Sequence, residues 1–161
     1  YEGTGTEILA DVPDITHSVA GLGTAGTLMG AGTYLKEQKP DVQIGAIEPP
    51  AGEMVDGLKN FDEGFVPPVF TNWHGYDLLD RKMIVRPRES IVWTRRLTEV
   101  GVFAGISSGA IAAGAAKCAD AITEGVVVMI VCDGGWKYLS TGAWTDDLDK
   151  VEARAKGTIY F

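Results

Sequence analysis

The sequence has only two cysteines, Cys118 and Cys132, with no CxxC spacing. That excludes a disulfide scaffold, a zinc knuckle and a dithiol redox pair, and both thiols are expected to serve as small buried apolar residues. Two histidines, His17 and His74, stand far apart and outside any HExxH context, so a metal site has little support. No stretch reaches the roughly 18 continuous apolar residues of a membrane span. No charged, apolar, small-residue leader opens the chain, so the cytoplasm is the expected compartment. Positive charge is also scarce: 14 Lys and Arg against 22 Asp and Glu leave a formal charge of −8, which repels nucleic acid and anionic membrane on average. An anion held by this chain needs a local site.

What is present is the composition of a globular protein. Apolar residues make up 45% and charged residues 22% of 161, enough for one domain that hides roughly two-thirds of its unfolded surface. The chain opens at Tyr1 without a methionine, and Glu7–Val12 reads as a helix already under way, so a piece of something longer is expected. Asp11 to Asp14 (DVPD) then breaks the pattern, and His17–Leu22 (HSVAGL) is a short apolar run suited to a buried strand. A glycine-rich loop follows. From Gly26 to Lys39, apolar residues recur at near-helical spacing, and Pro40 stops the helix. Val42–Ile47 (VQIGAI) is the next strand.

Strand, glycine turn, helix and strand within about 30 residues make a βαβ unit, which belongs in a parallel sheet. The alternation continues with a short strand at Met83–Val85, helices at Arg88–Val100 and Ser107–Ala121, a β-branched strand at Val126–Cys132 covered on both faces, and a helix at Asp146–Lys156. Pro49–Trp73, rich in Pro, Gly and acids, is expected to wrap over the surface near a site. The fold class is α/β, a three-layer sandwich around a mostly parallel sheet.

The loop Gly21–Gly30 (GLGTAGTLMG) fits G-x-G-x-x-G. Unpaired backbone N–H groups at the start of the following helix suit a phosphate, and Thr24 and Thr27 add hydroxyl donors. A dinucleotide is one reading, because Glu48 closes the next strand about where an acid binds a ribose. Glycines that merely allow helix and strand to pack closely are another. A second loop of the same kind, Gly105-Ile106-Ser107-Ser108-Gly109-Ala110, follows Val102-Phe103-Ala104. Ser107 or Ser108 there is an N-cap or, with the first loop, the far end of a small cofactor's cradle.

Four segments together resemble the cysteine synthases, pyridoxal-phosphate (PLP)-dependent enzymes of fold type II. They are Gly23–Thr27 (GTAGT), Thr33–Pro49 (TYLKEQKPDVQIGAIEP), Phe103–Ala110 (FAGISSGA) and Cys132–Thr141 (CDGGWKYLST), in family order and across nearly the whole chain. The resemblance implies residues 1–161 of a C-terminal portion, mostly the large domain. It implies that Gly23, Thr24, Ala25, Gly26 and Thr27 hold the 5′-phosphate of PLP, with Ala25 replacing the usual middle glycine, a methyl that is tolerable at negative φ. Ser107 is expected to face the pyridine nitrogen, and Glu48 then has no ribose to hold. The family's Schiff-base lysine belongs to the N-terminal part, so no residue here is assigned a catalytic role and the chain alone is expected to be inactive.

The segment Gly57–Pro67 (GLKNFDEGFVP) resembles the branch that uses O-phosphoserine, with Lys59 where an arginine binds substrate phosphate. Lysine keeps the charge and loses the bidentate fork, so O-acetylserine stays open as the donor. Asp62 and Glu63 would oppose a phosphate unless they point away. The tail Lys156–Phe161 (KGTIYF) either packs over the site or frays. The resemblance further implies an amino-acid substrate, sulfide or a sulfur-carrier protein as partner, and a homodimer. The rival functions are an NAD-binding domain of an oxidoreductase and a non-catalytic regulatory domain.

Overall fold

A computed structural model describes residues 1–157. Its elements are α1 (Thr4–Asp11), β1 (His17–Gly21), α2 (Gly26–Gln38), β2 (Gln43–Glu48), two short helices α3 (Pro68–Asn72) and α4 (Gly75–Leu78), β3 (Arg81–Ile84), α5 (Pro87–Glu99), α6 (Ile106–Asp120), β4 (Val127–Met129), a 3-10 helix (Gly135–Thr141) and α7 (Leu148–Gly157). Local chemistry sets these bounds. The Lys39 N–H closes α2 on the Leu35 carbonyl at 2.7 Å, and Pro40 has no N–H with which to go on. Pro87 opens α5 at a first-turn position where a missing N–H costs nothing.

All four strands are parallel, in the order β3-β2-β1-β4. Alternate residues point to opposite faces of each strand. Val19 and Ile47 therefore pack with Ile91, Ile106, Ala110 and Ile111 of α5 and α6, while Ala20, Ile44 and Ala46 pack with Leu28, Met29 and Leu35 of α2. Two helical layers thus sandwich one sheet, as the sequence predicts.

α5 and α6 lie close enough that a Cβ on Gly109 would overlap Thr94 Oγ1 and the Ser90 carbonyl and come within 2.7 Å of the Thr94 nitrogen. The buried hydroxyls at this contact are satisfied. Ser90 Oγ donates to the Ile106 carbonyl at 2.6 Å, and Thr94 Oγ1 to that of Ser90 at 2.9 Å. The start of α6 is locked against its neighbour.

Three expectations change. β4 is shorter than Val126–Cys132 and half-buried, because it pairs only with β1 and ends opposite Val19. Cys132 lies beyond that end and is exposed, whereas Cys118 is buried as expected. β3 begins at Arg81, two residues before the expected Met83. The packing of the Lys156–Phe161 tail lies outside the described residues. Among those residues, no helix is long and apolar enough to cross a membrane.

Candidate cofactor site at the switch point

The order of the strands places the site. From β1 the chain moves outward to β2 and β3, then returns to lay β4 on the other flank of β1. In an open parallel sheet, the loops at the carboxyl ends of strands that diverge in this way leave a crevice for a ligand. Here those loops are Leu22–Ala25 after β1 and Ile130–Gly134 after β4, and the start of α6 joins them through Ser108, whose Oγ accepts the Cys132 N–H at 3.0 Å.

The start of α2 is open. No side chain caps it. The first N–H of the region to find a helical partner is that of Met29, on the Ala25 carbonyl at 2.9 Å. Gly26, Thr27 and Leu28 thus present unpaired N–H groups among the described residues, with the positive end of a 13-residue helix behind them. Thr24, Gly26 and Thr27 are exposed, and a Cβ on Gly26 would find only Thr24 Oγ1, at 3.8 Å. This is an anion cradle of backbone and hydroxyl donors.

Two details differ from the sequence reading. Ala25 stands at φ 64°, ψ 0°, in the left-handed region, and not at the negative φ that would make its methyl easy. The chain needs this turn to leave β1 and enter α2, and it places Ala25 in the core while Thr24 and Gly26 face out. Gly23 has a role within the chain that the sequence reading did not give it. A Cβ there would overlap the Gly57 carbonyl, so its small size admits the Gly57 segment against the loop.

Gly57 is a residue that the sequence did not single out, and it joins the two loops. At φ 82° it adopts a conformation that favours glycine, and a Cβ added there would stand 3.4 Å from Ser107 Cβ and 3.5 Å from its Oγ. Gly57 therefore stands between Gly23 and Ser107. Ser107 is only 4% exposed.

Although Cys132 is exposed as a residue, partial desolvation of its thiol together with Asp133 pushes it up, with the Ser107 hydroxyl opposing that shift. Asp133 is a second residue missed from sequence. Its Oδ2 accepts the Tyr138 hydroxyl at 2.8 Å, and its Oδ1 is buried with no partner among the described residues. Burial and this carboxylate together raise the Tyr138 phenol well above its usual range. Gly105 is obligatory beneath the pair, because a Cβ there would overlap Asp133 Oδ1.

Glu48 cannot hold a ribose. It is 1% exposed, accepts the Phe61 N–H at 3.1 Å and meets Lys82 Nζ at 2.9 Å. Lys59 is exposed beside the loop, its N–H bonded to the Leu22 carbonyl at 2.6 Å and its ammonium over the Phe65 ring. The acids that threatened to oppose a phosphate there point elsewhere. Asp62 pairs with Lys82 at 2.8 Å, and Glu63 accepts the Gly52 N–H at 2.7 Å.

A parallel α/β sheet with an open helix start at its switch point and a serine hydroxyl opposite defines a phosphate-cofactor domain. The pattern of the pyridoxal-phosphate dependent enzyme family matches residues 1–133, and the chain belongs to that family. Among curated relatives, cysteine synthase B of Pseudomonas aeruginosa is 36% identical over 89% of this chain and 48% of its own length. That of Escherichia coli is 34% identical over 91% and 48%. Among solved structures, O-ureido-L-serine synthase matches with TM-score 0.77 at 35% identity, over 89% of this chain and 48% of that one. A hydrogen sulfide-producing enzyme of Fusobacterium nucleatum matches with TM-score 0.78 at 29% identity, over 94% and 49%. These neighbours share the type II fold, and the chain spans about half the length of the curated relatives it matches.

The residues present fit PLP. Three unpaired N–H groups and two threonine hydroxyls suit one phosphate, and Ser107 lies across Gly57 from Gly23. The family's cofactor replaces the dinucleotide reading, which Glu48 no longer supports.

Proposed function

We propose that this chain is the C-terminal, PLP-phosphate-binding portion of a cysteine synthase, which exchanges the β-substituent of O-phosphoserine or O-acetylserine for sulfide. The carrying observation is the open, uncapped start of α2, with Gly57 linking the loop before it to Ser107. When bound, PLP supplies an electron sink for loss of the β-substituent. Gly23–Thr27 would hold its phosphate. Ser107 would offer the ring nitrogen a neutral hydroxyl, which does not force that nitrogen to stay protonated as a carboxylate would.

The lysines of the chain support an inactive portion. Lys36 pairs with Asp80, Lys82 with Glu48 and Asp62, Lys117 with Glu89 and Lys137 with Asp133. Each is held by a carboxylate in an ion pair. Lys59 is different, and its position beside the loop with both local acids engaged elsewhere favours O-phosphoserine as the donor. A phosphate would gain a charge-assisted bond from it. Sulfide or a sulfur-carrier protein as sulfur source, a homodimer and a cytoplasmic setting complete the reading. Exposed apolar residues such as Val102, Phe103, Val131, Trp136 and Leu139 support further protein contact.

The test is to express the chain joined to the remaining half of a relative and record a visible absorption band from bound PLP. Cysteine formation from sulfide and either donor is then measured. We expect a band and faster turnover with O-phosphoserine, lowered about tenfold by Lys59→Ala through the loss of roughly 1.4 kcal/mol. No band, or equal O-phosphoserine turnover in the variant, overturns the corresponding part.

A further inference from the structure

A cavity of about 210 Å³ lies beside the cradle but is not part of it. Met54, Val55 and Asp56 from the segment after β2 form one wall, and Ile91 and Ile106 form another. Thr141, Val151 and Arg154 are among the residues that close it. None of Gly23–Thr27, and not Ser107, lines it. An apolar cavity of ~150 Å³ already admits a benzene-sized molecule, whereas drug-sized ligands need ~300 Å³ or more. The space suits a small metabolite and excludes a nucleotide.

Its polar groups narrow the class. Asp56 forms no hydrogen bond and no ion pair among the described residues, although it is partly buried. Its carboxyl is pushed up by desolvation. A carboxylate in that state gains from a ligand ammonium. Arg154 brings a fixed positive charge to the same cavity, its guanidinium anchored by Asp146 Oδ2 at 2.7 Å and the Thr141 carbonyl at 3.2 Å. Val55, Ile91, Ile106 and Val151 add apolar lining to the same cavity.

We propose that this cavity binds a small α-amino acid, its ammonium on Asp56, its carboxylate toward Arg154 and its aliphatic or thioether side chain among the apolar residues. The site is separate from the cofactor cradle. It adjoins that cradle through two covalent neighbours, Asp56 to Gly57 and Ile106 to Ser107, so occupancy bears on the residues that set the Ser107 position.

The probe is L-methionine, titrated calorimetrically into the intact protein without added PLP, with 3-(methylthio)propylamine and 4-(methylthio)butyrate as one-charge controls. We expect saturable binding of methionine, at least tenfold weaker binding of each control, and a tenfold or greater loss in Asp56→Asn. Met54→Trp, which fills the rim from an exposed position, should abolish binding while the circular dichroism spectrum stays native. Thr27→Val, in the cradle, should leave binding unchanged. Methionine binding that survives Asp56→Asn and Met54→Trp, or that is lost in Thr27→Val, overturns the proposal. So does the absence of saturable heat at millimolar ligand in a folded protein.

Discussion

The two helix starts at the switch point solve opposite problems with similar sequences. Gly23–Thr27 leads into α2 with exposed donors and no cap, whereas Gly105–Gly109 leads into α6 with every neighbour close. Ser107 and Ser108 are buried, and Gly109 is pressed onto α5. One is an exposed set of unpaired donors. The other is a rigid wall that holds a hydroxyl in place. Glycine therefore carries two meanings, solvent access at Gly26 and packing at Gly105 and Gly109, and only the surroundings tell them apart.

The largest effect that would test this contrast is on stability. Gly109→Ala places a methyl against backbone atoms of Ser90 and Thr94 that have no free rotation to yield. Overpacking of that kind costs about 1–3 kcal/mol, and backbone neighbours put it near the upper end. The urea midpoint should fall accordingly. Gly26→Ala should leave stability unchanged or raise it by up to about 1 kcal/mol, since the added methyl meets only Thr24 Oγ1 and alanine restrains the unfolded chain. Equal losses in both variants would erase the distinction between wall and surface.

A smaller effect is expected at Gly23, where the two starts meet through Gly57. Gly23→Ala forces the Gly57 carbonyl away, which shifts the segment that separates the loop from Ser107. Stability should drop by about 1 kcal/mol. PLP affinity, read from the visible band or from quenching of tryptophan fluorescence, should fall about tenfold, equivalent to roughly 1.4 kcal/mol. A variant with normal affinity would show that Gly57 fills space without positioning Ser107.

Much of this was legible in the sequence. The runs HSVAGL and VQIGAI and the helical spacing between them predicted β1, α2 and β2 almost to the residue, because each is set by local periodicity and by Pro40. The cradle was legible as well, since it is a contiguous stretch. What stayed hidden depends on chain that returns from far away. The φ of Ala25 follows from how β1 must turn into α2, and the use of Gly23 follows from Gly57, 34 positions later. Asp133 became visible only when the loop after β4 came to lie over Gly105. The partners of Glu48 and Asp62 converge on Lys82 of β3, a meeting that sheet order creates and spacing cannot show.

The finest test concerns Ala25, where two small effects of opposite sign compete. Holding an alanine in the left-handed region costs roughly 1–2 kcal/mol relative to ordinary backbone, a cost that glycine escapes. Against that, Ala25 is 3% exposed, and losing a buried methyl costs about 0.8 kcal/mol. Glycine also adds freedom to the unfolded chain, worth roughly 0.5–1 kcal/mol against the folded state. The sum lies within about 0.8 kcal/mol of zero, so Ala25→Gly should leave the urea midpoint little moved and PLP affinity within about twofold. A clear rise in stability accompanied by weaker binding would show that the methyl stores strain which an anion releases. In that case the open start of α2 is primed by its own backbone, and its contrast with the locked start of α6 is deeper than exposure alone.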